Sequence, residues 1–111
     1  MKDDEWKEKL RLYDQLVATH PSLERKGKTM PYTSVNGHMF SMLNKDGEIG
    51  VRLSDEAGER FIKDHQTTRF KSHGAFMRGY VVVPEALCED MDKLAALLQE
   101  AYEYALSLEP K

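Results

Sequence analysis

The fold of this chain is decided by residues 38–53, which read HMFSMLNKDGEIGVRL. Ile49, Val51 and Leu53 alternate with Gly50 and Arg52 after a short polar segment, and a period of two is typical of β-strands with one buried face. Asp46-Gly47 supplies the positive φ angles that a tight turn between antiparallel strands needs. The stretch therefore predicts a β-hairpin with strands at residues 38–43 and 49–53.

Segments with helical periodicity precede and follow this hairpin in the sequence. Residues 3–18 place apolar side chains at helical spacing and predict an amphipathic helix, which ends before His20-Pro21 because the residue preceding a proline disfavours helical dihedrals. Ser54 is a good N-cap for a second, shorter helix that runs to about residue 65. Apolar residues recur every three or four positions from 91 to 108, after Pro84, and predict a C-terminal helix.

Two more strands complete the predicted fold. Residues 67–71 suit a short edge strand, and residues 79–83, with three consecutive valines, suit a buried one. Residues 28–40 collect turn formers and are interpreted as a loop that leads into the first strand. The order of elements favours an α+β domain: an antiparallel sheet of about four strands with N-terminal and C-terminal helices and one intervening helix. A length of 111 residues suits one domain that spans residues 1–111.

Charge and hydropathy narrow the functional classes. The net charge is −3, yet residues 24–80 hold ten Lys/Arg against seven Asp/Glu, whereas residues 84–111 hold two against seven. A nucleic-acid-binding protein is usually far more basic, because contacts with phosphate supply most of its non-specific affinity. Apolar runs such as residues 80–83 are far shorter than the ~20 residues that cross a bilayer, and the N-terminus lacks the apolar stretch of a signal peptide. We therefore expect a cytoplasmic protein with no membrane partner.

Three phrases of the sequence resemble a known family. They are residues 24–40, ERKGKTMPYTSVNGHMF, residues 50–53, GVRL, and residues 79–84, GYVVVP. Together they resemble the N-terminal domain of the TfoX/Sxy competence regulators, and the likeness in the order of elements covers most of the chain. The YjbR-like families and other small α+β families are the alternatives.

The resemblance implies a compact bacterial α+β domain that in some relatives is linked to the control of competence genes, while many members stand alone. It implies no enzymatic activity, and the family offers no agreed catalytic residues or cofactor to transfer. The full-length regulators carry a second, C-terminal domain without a counterpart in this sequence, so a role in competence does not carry over. The leading interpretation is a non-enzymatic regulatory or protein-interaction module that binds a protein or a small ligand.

Ten residues form the candidate binding surface. Two groups of basic residues, with aromatic side chains near them in sequence, could contact phosphate or an acidic partner. The surface comprises Arg25, Lys26, Lys28, Tyr32, Thr33, Ser34, His38, Arg69, Lys71 and Arg78. The first alternative function is therefore a weak nucleic-acid-binding accessory protein that uses this basic central region. The structural alternative is a solvated loop and a charged edge strand, since Lys and Arg are usually exposed and charge protects strand edges from pairing.

Histidine and cysteine residues suggest fewer chemical roles. His38 or His73 could act as a general acid or base if either converged with Asp64 or Glu59, which leaves a small His-dependent enzyme as the second alternative. None of the four histidines has another one four residues away, as a helical metal site requires, so no metal is predicted. Cys88 is the only cysteine, which excludes an intramolecular disulfide. The two terminal amphipathic helices leave a homodimer open.

Overall fold

A computed structural model describes residues 3–27, 30–72 and 74–110 of the chain. Its elements in chain order are α1 (Asp3–Ala18), β1 (Tyr32–Val35), β2 (His38–Leu43), β3 (Ile49–Arg52), α2 (Asp55–His65), β4 (Arg69–Ser72), β5 (Ala75–Val82), α3 (Glu85–Cys88) and α4 (Met91–Ser107). The strands form one antiparallel sheet in the order β1-β2-β3-β5-β4. The predicted α+β class is confirmed, and the described sheet has five strands where about four were expected.

The additional strand is β1, which lies within the segment that we interpreted as a loop. Asn36 and Gly37 have φ angles of 55° and 81°. Positive values at both central positions are those of a two-residue type I′ hairpin turn, which joins β1 directly to β2. Val35 pairs with His38 across this turn. The loop interpretation of residues 28–40 is therefore wrong for 32–35, although Asn-Gly is the strongest short-range hairpin signal a sequence can carry.

The predicted hairpin at the centre of the sequence is confirmed. Ser41 pairs with Val51 and Leu43 with Ile49 in an antiparallel ladder, but of the Asp46-Gly47 pair only Gly47 has a positive φ angle, 80°. The connecting turn depends on Asn44, whose side-chain oxygen accepts hydrogen bonds from the backbone N–H groups of Asp46 and Glu48, at 3.0 and 2.8 Å. Such side-chain acceptance in place of backbone pairing is how asparagine stabilises turns.

Side-chain caps mark the starts of α2 and α4, and the cap of α2 is the one that the sequence predicts. The Ser54 hydroxyl accepts a hydrogen bond from the Ala57 N–H and so caps α2. The predicted C-terminal helix is divided: the short α3 follows Pro84, and α4 begins after Asp90, whose carboxylate accepts from the Lys93 N–H. No helix in the described ranges is long and apolar enough to cross a membrane.

The helices pack on one face of the sheet and bury the main core there. α4 crosses β1, β2 and β3, while α2 packs against β5. Both layers contribute side chains that are at most 1% exposed: Tyr13, Leu16, Phe40, Leu43, Val51, Val81, Leu94, Leu98 and Ala101. Removal of this apolar surface from water is the largest favourable contribution to the fold.

The other face of the sheet carries a second apolar cluster, which we call the outer cluster. Its buried members are Met42, Phe70 and Tyr80, and half-buried Met30, Tyr32, Met39, Met77 and Val82 pack against them. None of these described residues belongs to a helix. The Phe70 ring fills the space above Gly50, where a Cβ atom would lie 2.4 Å from the ring. The Asn44 amide also donates to the Lys71 carbonyl at 2.9 Å, so the β4–β5 hairpin bends over this face.

Candidate functional site

The predicted binding residues lie at two different edges of the sheet. Six of them belong to or precede β1 and the start of β2, and we call them the β1-edge group: Arg25, Lys26, Tyr32, Thr33, Ser34 and His38. Three belong to the β4–β5 hairpin at the other end of the strand order: Arg69, Lys71 and Arg78. Lys28 lies outside the described residues. The strand order therefore separates the two groups, although Tyr32 packs against the outer cluster to which Phe70 of the hairpin belongs.

The charge of Arg25 is used within the fold. Its guanidinium donates to Asp14 of α1 at 2.9 Å and to the Gly27 carbonyl at 2.8 Å. The backbone of Lys26 pairs with that of Tyr32 on the outer side of β1, so this residue extends the sheet while its side chain stays exposed. Of Arg25 and Lys26, only Lys26 forms no ion pair with a described residue.

Thr33 is fully buried, so it does not belong to a binding surface. Its hydroxyl and that of Ser41 are hydrogen-bonded, and Ser41 in turn bonds the Tyr13 hydroxyl at 2.6 Å. These three side chains join β1, β2 and α1 inside the core. Burial raises the pKa of Tyr13 to about 12, because the phenolate would have to form away from water. The Thr33 hydroxyl thus serves the fold.

A β-bulge explains why Ser41 points into the core. Thr33 pairs with Ser41 and Ser34 with Met39, which leaves Phe40 as the extra residue on β2. Phe40 belongs to the main core and Ser41 contacts Tyr13 of α1, so both neighbours face the helices. A bulge of this kind interrupts the strict alternation of faces along a strand. Alternation alone would have placed one of these two side chains on the outer face.

His38 is buried beneath the C-terminal segment. It is 8% exposed, and its Nε2–H donates to the backbone carbonyl of Glu109 at 2.7 Å. Its Nδ1 atom has no hydrogen-bond partner in the described structure. The predicted role in catalysis required a carboxylate, whereas the observed partner is a peptide carbonyl. His38 therefore also serves the fold at this edge.

His20, His65 and the cysteine contact apolar or structural groups. The His20 ring packs at a tilt against Tyr102 and the His65 ring against Phe61, with ring centroids 4.5 and 4.4 Å apart. His73 lies outside the described residues. Cys88 ends α3 with its Sγ atom 3.9 Å from the Lys9 ammonium, and burial raises its pKa. Within the described ranges, no group of three His, Cys, Asp or Glu residues could hold a metal ion.

The β4–β5 hairpin presents a different surface. Phe76 is 61% exposed, although a phenylalanine in a strand would be expected in the core. It pairs across the hairpin with Lys71, whose ammonium lies 4.6 Å from the centre of the ring. This distance is within the range of a cation–π interaction. Arg78 follows two residues after Phe76 on β5, which places it on the same face, and it is exposed.

We call Arg69, Lys71, Phe76 and Arg78 the hairpin patch. Arg69 and Phe76 border a pocket of about 350 Å³ between the hairpin and α2, together with Glu59, Ile62, Thr67 and Thr68. Among the described residues, none of the three cations of the patch takes part in an ion pair. The patch therefore combines available positive charge, an exposed aromatic ring and a shallow apolar pocket. Sequence reasoning identified the cations and missed Phe76.

Comparison with known proteins does not show which family the chain belongs to. No protein-family model matches the chain, and no curated protein matches it significantly. Membership of the TfoX/Sxy N-terminal-domain family therefore stays a prediction. The hairpin patch is consequently the feature on which a functional proposal can be built.

Proposed function

We propose that the protein is a non-enzymatic regulatory or protein-interaction module and that its partner binds the hairpin patch. One observation carries the proposal: Phe76 is 61% exposed beside the Lys71 ammonium and the pocket that Arg69 borders. Burial of an aromatic side chain in an interface contributes roughly 1.5 to 3 kcal/mol. Aromatic and arginine side chains are also the types that most often dominate binding energy.

Other features of the chain are consistent with this proposal. The resemblance to the TfoX/Sxy N-terminal domains would imply a regulatory role without catalysis. None of the three cations of the patch forms an ion pair with a described residue, so a partner would be free to neutralise them. Such exposed charges contribute little to folding but steer association with a complementary surface.

A photocrosslinking experiment tests the proposal. The crosslinking amino acid p-benzoylphenylalanine replaces Phe76, and in a matched control it replaces Leu106, the other large apolar residue that is exposed in the described structure, at 42%. In extract of the source organism we expect discrete crosslinked proteins at position 76 that excess unmodified protein displaces. Charge reversal with Arg69→Glu and Lys71→Glu should abolish them. Equal products at both positions, or products indifferent to charge reversal, would contradict the proposal.

The same patch supports a second candidate function, weak binding of single-stranded nucleic acid. Cations next to an exposed aromatic ring can hold a phosphate backbone while a base stacks on the ring. Affinity that falls steeply with added salt, measured by filter binding with a short oligothymidine, would favour this candidate. Absence of binding at low salt would remove it.

A further inference from the structure

We infer that the hairpin patch binds an acidic peptide segment, one apolar side chain of which enters the pocket between α2 and β4. This inference rests on the proposed function and adds the chemistry of the partner. The inference favours a peptide over nucleic acid, another anionic polymer that could bind the same cations. Three features of the pocket support it.

The first feature is the apolar wall of the pocket. Ile62 of α2 and Phe76 of β5 both line a space of about 350 Å³. Ile62 is half-buried and packs against the main core, so its position is fixed by the fold. Small concave sites with apolar walls and a few polar groups at the rim are suited to a single anchoring side chain. An aliphatic or aromatic side chain of the partner fits this description.

The second feature is the position of the cations. Arg69 borders the pocket itself, and Lys71 is held over the Phe76 ring by the cross-strand pairing of these two residues. A carboxylate adjacent to the anchoring side chain would therefore meet a guanidinium, which binds carboxylates through two parallel hydrogen bonds. Because Lys71 is already placed by the hairpin, less conformational entropy is lost on binding.

The third feature is Glu59, which borders the pocket from α2. A phosphate backbone carries a charge at every nucleotide and would bring some of these charges next to the Glu59 carboxylate. Like charges placed together at an interface oppose association. A peptide can instead space its carboxylates so that they meet Arg69 and Lys71 while a neutral backbone group faces Glu59. This wall of the pocket therefore favours a peptide over a nucleic acid.

Fluorescence anisotropy with three labelled probes tests the inference. The first probe is the peptide Gly-Asp-Glu-Phe-Asp-Glu-Leu-Gly. The second replaces Phe and Leu by Ser and keeps the charge, and the third replaces Asp and Glu by Asn and Gln and keeps the apolar groups. We expect the first probe to bind at least about tenfold more tightly than either control. Equal binding of the first two probes, or no binding of the first, would overturn the inference.

Variants of the protein test whether the first probe binds at the hairpin patch. Phe76→Ser should weaken the first probe about tenfold or more, whereas Leu106→Ser, the matched change at the other exposed apolar residue, should leave its affinity unchanged. Glu59→Gln should strengthen binding of a short oligothymidine more than binding of the peptide. Tighter binding of oligothymidine than of the peptide to the unmodified protein would overturn the inference in favour of nucleic acid.

The two experiments fail in different ways. If position 76 crosslinks to a protein in a charge-dependent manner but the acidic peptide does not bind, the proposed function stands and the stated partner chemistry is wrong. If neither the crosslink nor the peptide depends on the hairpin patch, both the proposed function and this inference are wrong.

Discussion

The two edges of the sheet use similar residues for opposite purposes. At the β1 edge, Arg25 is paired with Asp14, and the Thr33 hydroxyl lies in a buried hydrogen-bonded chain. At the β4–β5 edge, Arg69 and Lys71 are exposed and form no ion pair with any described residue. The difference shows that polar residues clustered in sequence point to a binding surface only when the fold does not already satisfy them.

The largest expected change in the free energy of unfolding is at the β4–β5 hairpin. It shows whether this edge of the sheet contributes to stability. Phe70 is fully buried in the outer cluster, so Phe70→Ala should lower the free energy of unfolding by about 4 kcal/mol. Phe76→Ala, a few residues away and exposed, should change it by less than about 0.5 kcal/mol. Urea unfolding of both variants measures these changes in the free energy of unfolding. A loss below about 1 kcal/mol for Phe70→Ala would mean that the outer cluster is poorly packed.

A smaller loss is expected when the buried hydroxyl chain at the β1 edge is broken. Ser41→Ala leaves the hydroxyls of Tyr13 and Thr33 without their partner in the core, which should cost about 3 kcal/mol. Ser34→Ala is the matched control at a half-buried position of the same edge and should cost less than about 0.5 kcal/mol. Equal losses in thermal and urea unfolding would show that the hydroxyl chain does not distinguish this edge.

Alkaline pH tests the same hydroxyl chain without changing its sequence. Burial raises the pKa of Tyr13 from 10.0 to about 12, so between these pH values the folded protein retains a proton that the unfolded chain has lost. The stabilisation is complete below pH 10 and is lost as the pH rises through about 12. It amounts to roughly 2 to 3 kcal/mol.

Urea unfolding near neutral pH and at about pH 11 measures this loss. Tyr13→Phe should reduce the pH dependence, because a phenylalanine does not titrate. Burial also raises the pKa of Tyr80 in the outer cluster, so Tyr80→Phe should reduce the same dependence further. If the free energy of unfolding of Tyr13→Phe fell with rising alkaline pH as steeply as that of the unmodified protein, the assignment of this pH dependence to Tyr13 would be wrong.

The smallest effect compares one arginine at each edge. Arg25→Ala removes the bonds to Asp14 and the Gly27 carbonyl and should cost about 1 kcal/mol, since both partners of the ion pair are partly exposed to solvent. Arg69→Ala should leave stability within about 0.5 kcal/mol of the unmodified protein. Thermal unfolding decides between these outcomes, and a larger loss for Arg69→Ala would reverse the comparison between the edges.

The sequence predicted those parts of the fold that local chemistry determines. The β2–β3 hairpin follows from the alternating pattern and from Gly47, which has a positive φ angle, and α2 begins after Ser54 as its cap. β1 was missed because Thr33 and Ser34 were taken for loop residues, although the Asn36-Gly37 turn was visible. The position of Ser41 required the bulge at Phe40, which depends on pairing with β1 and on packing against α1.

The sequence predicted the cations of the candidate site but not how they are arranged, because local patterns do not determine the strand order. Pairing of β5 with β3 places the β4–β5 hairpin at one end of the sheet and β1 at the other, and this pairing is set by packing between distant segments. Phe76 belongs to residues 75–78 of β5, which the sequence did not predict as strand, so its pairing with Lys71 was not foreseen.

The contact between Phe70 and Gly50 has a consequence for how this fold can vary during evolution. Any side chain at position 50 would collide with the ring, since a Cβ atom there would lie 2.4 Å from it. We therefore expect relatives in which position 50 gains a side chain to carry a smaller residue at position 70. Covariation of this pair, twenty residues apart in sequence, would be a signature by which distant members of the lineage could be recognised.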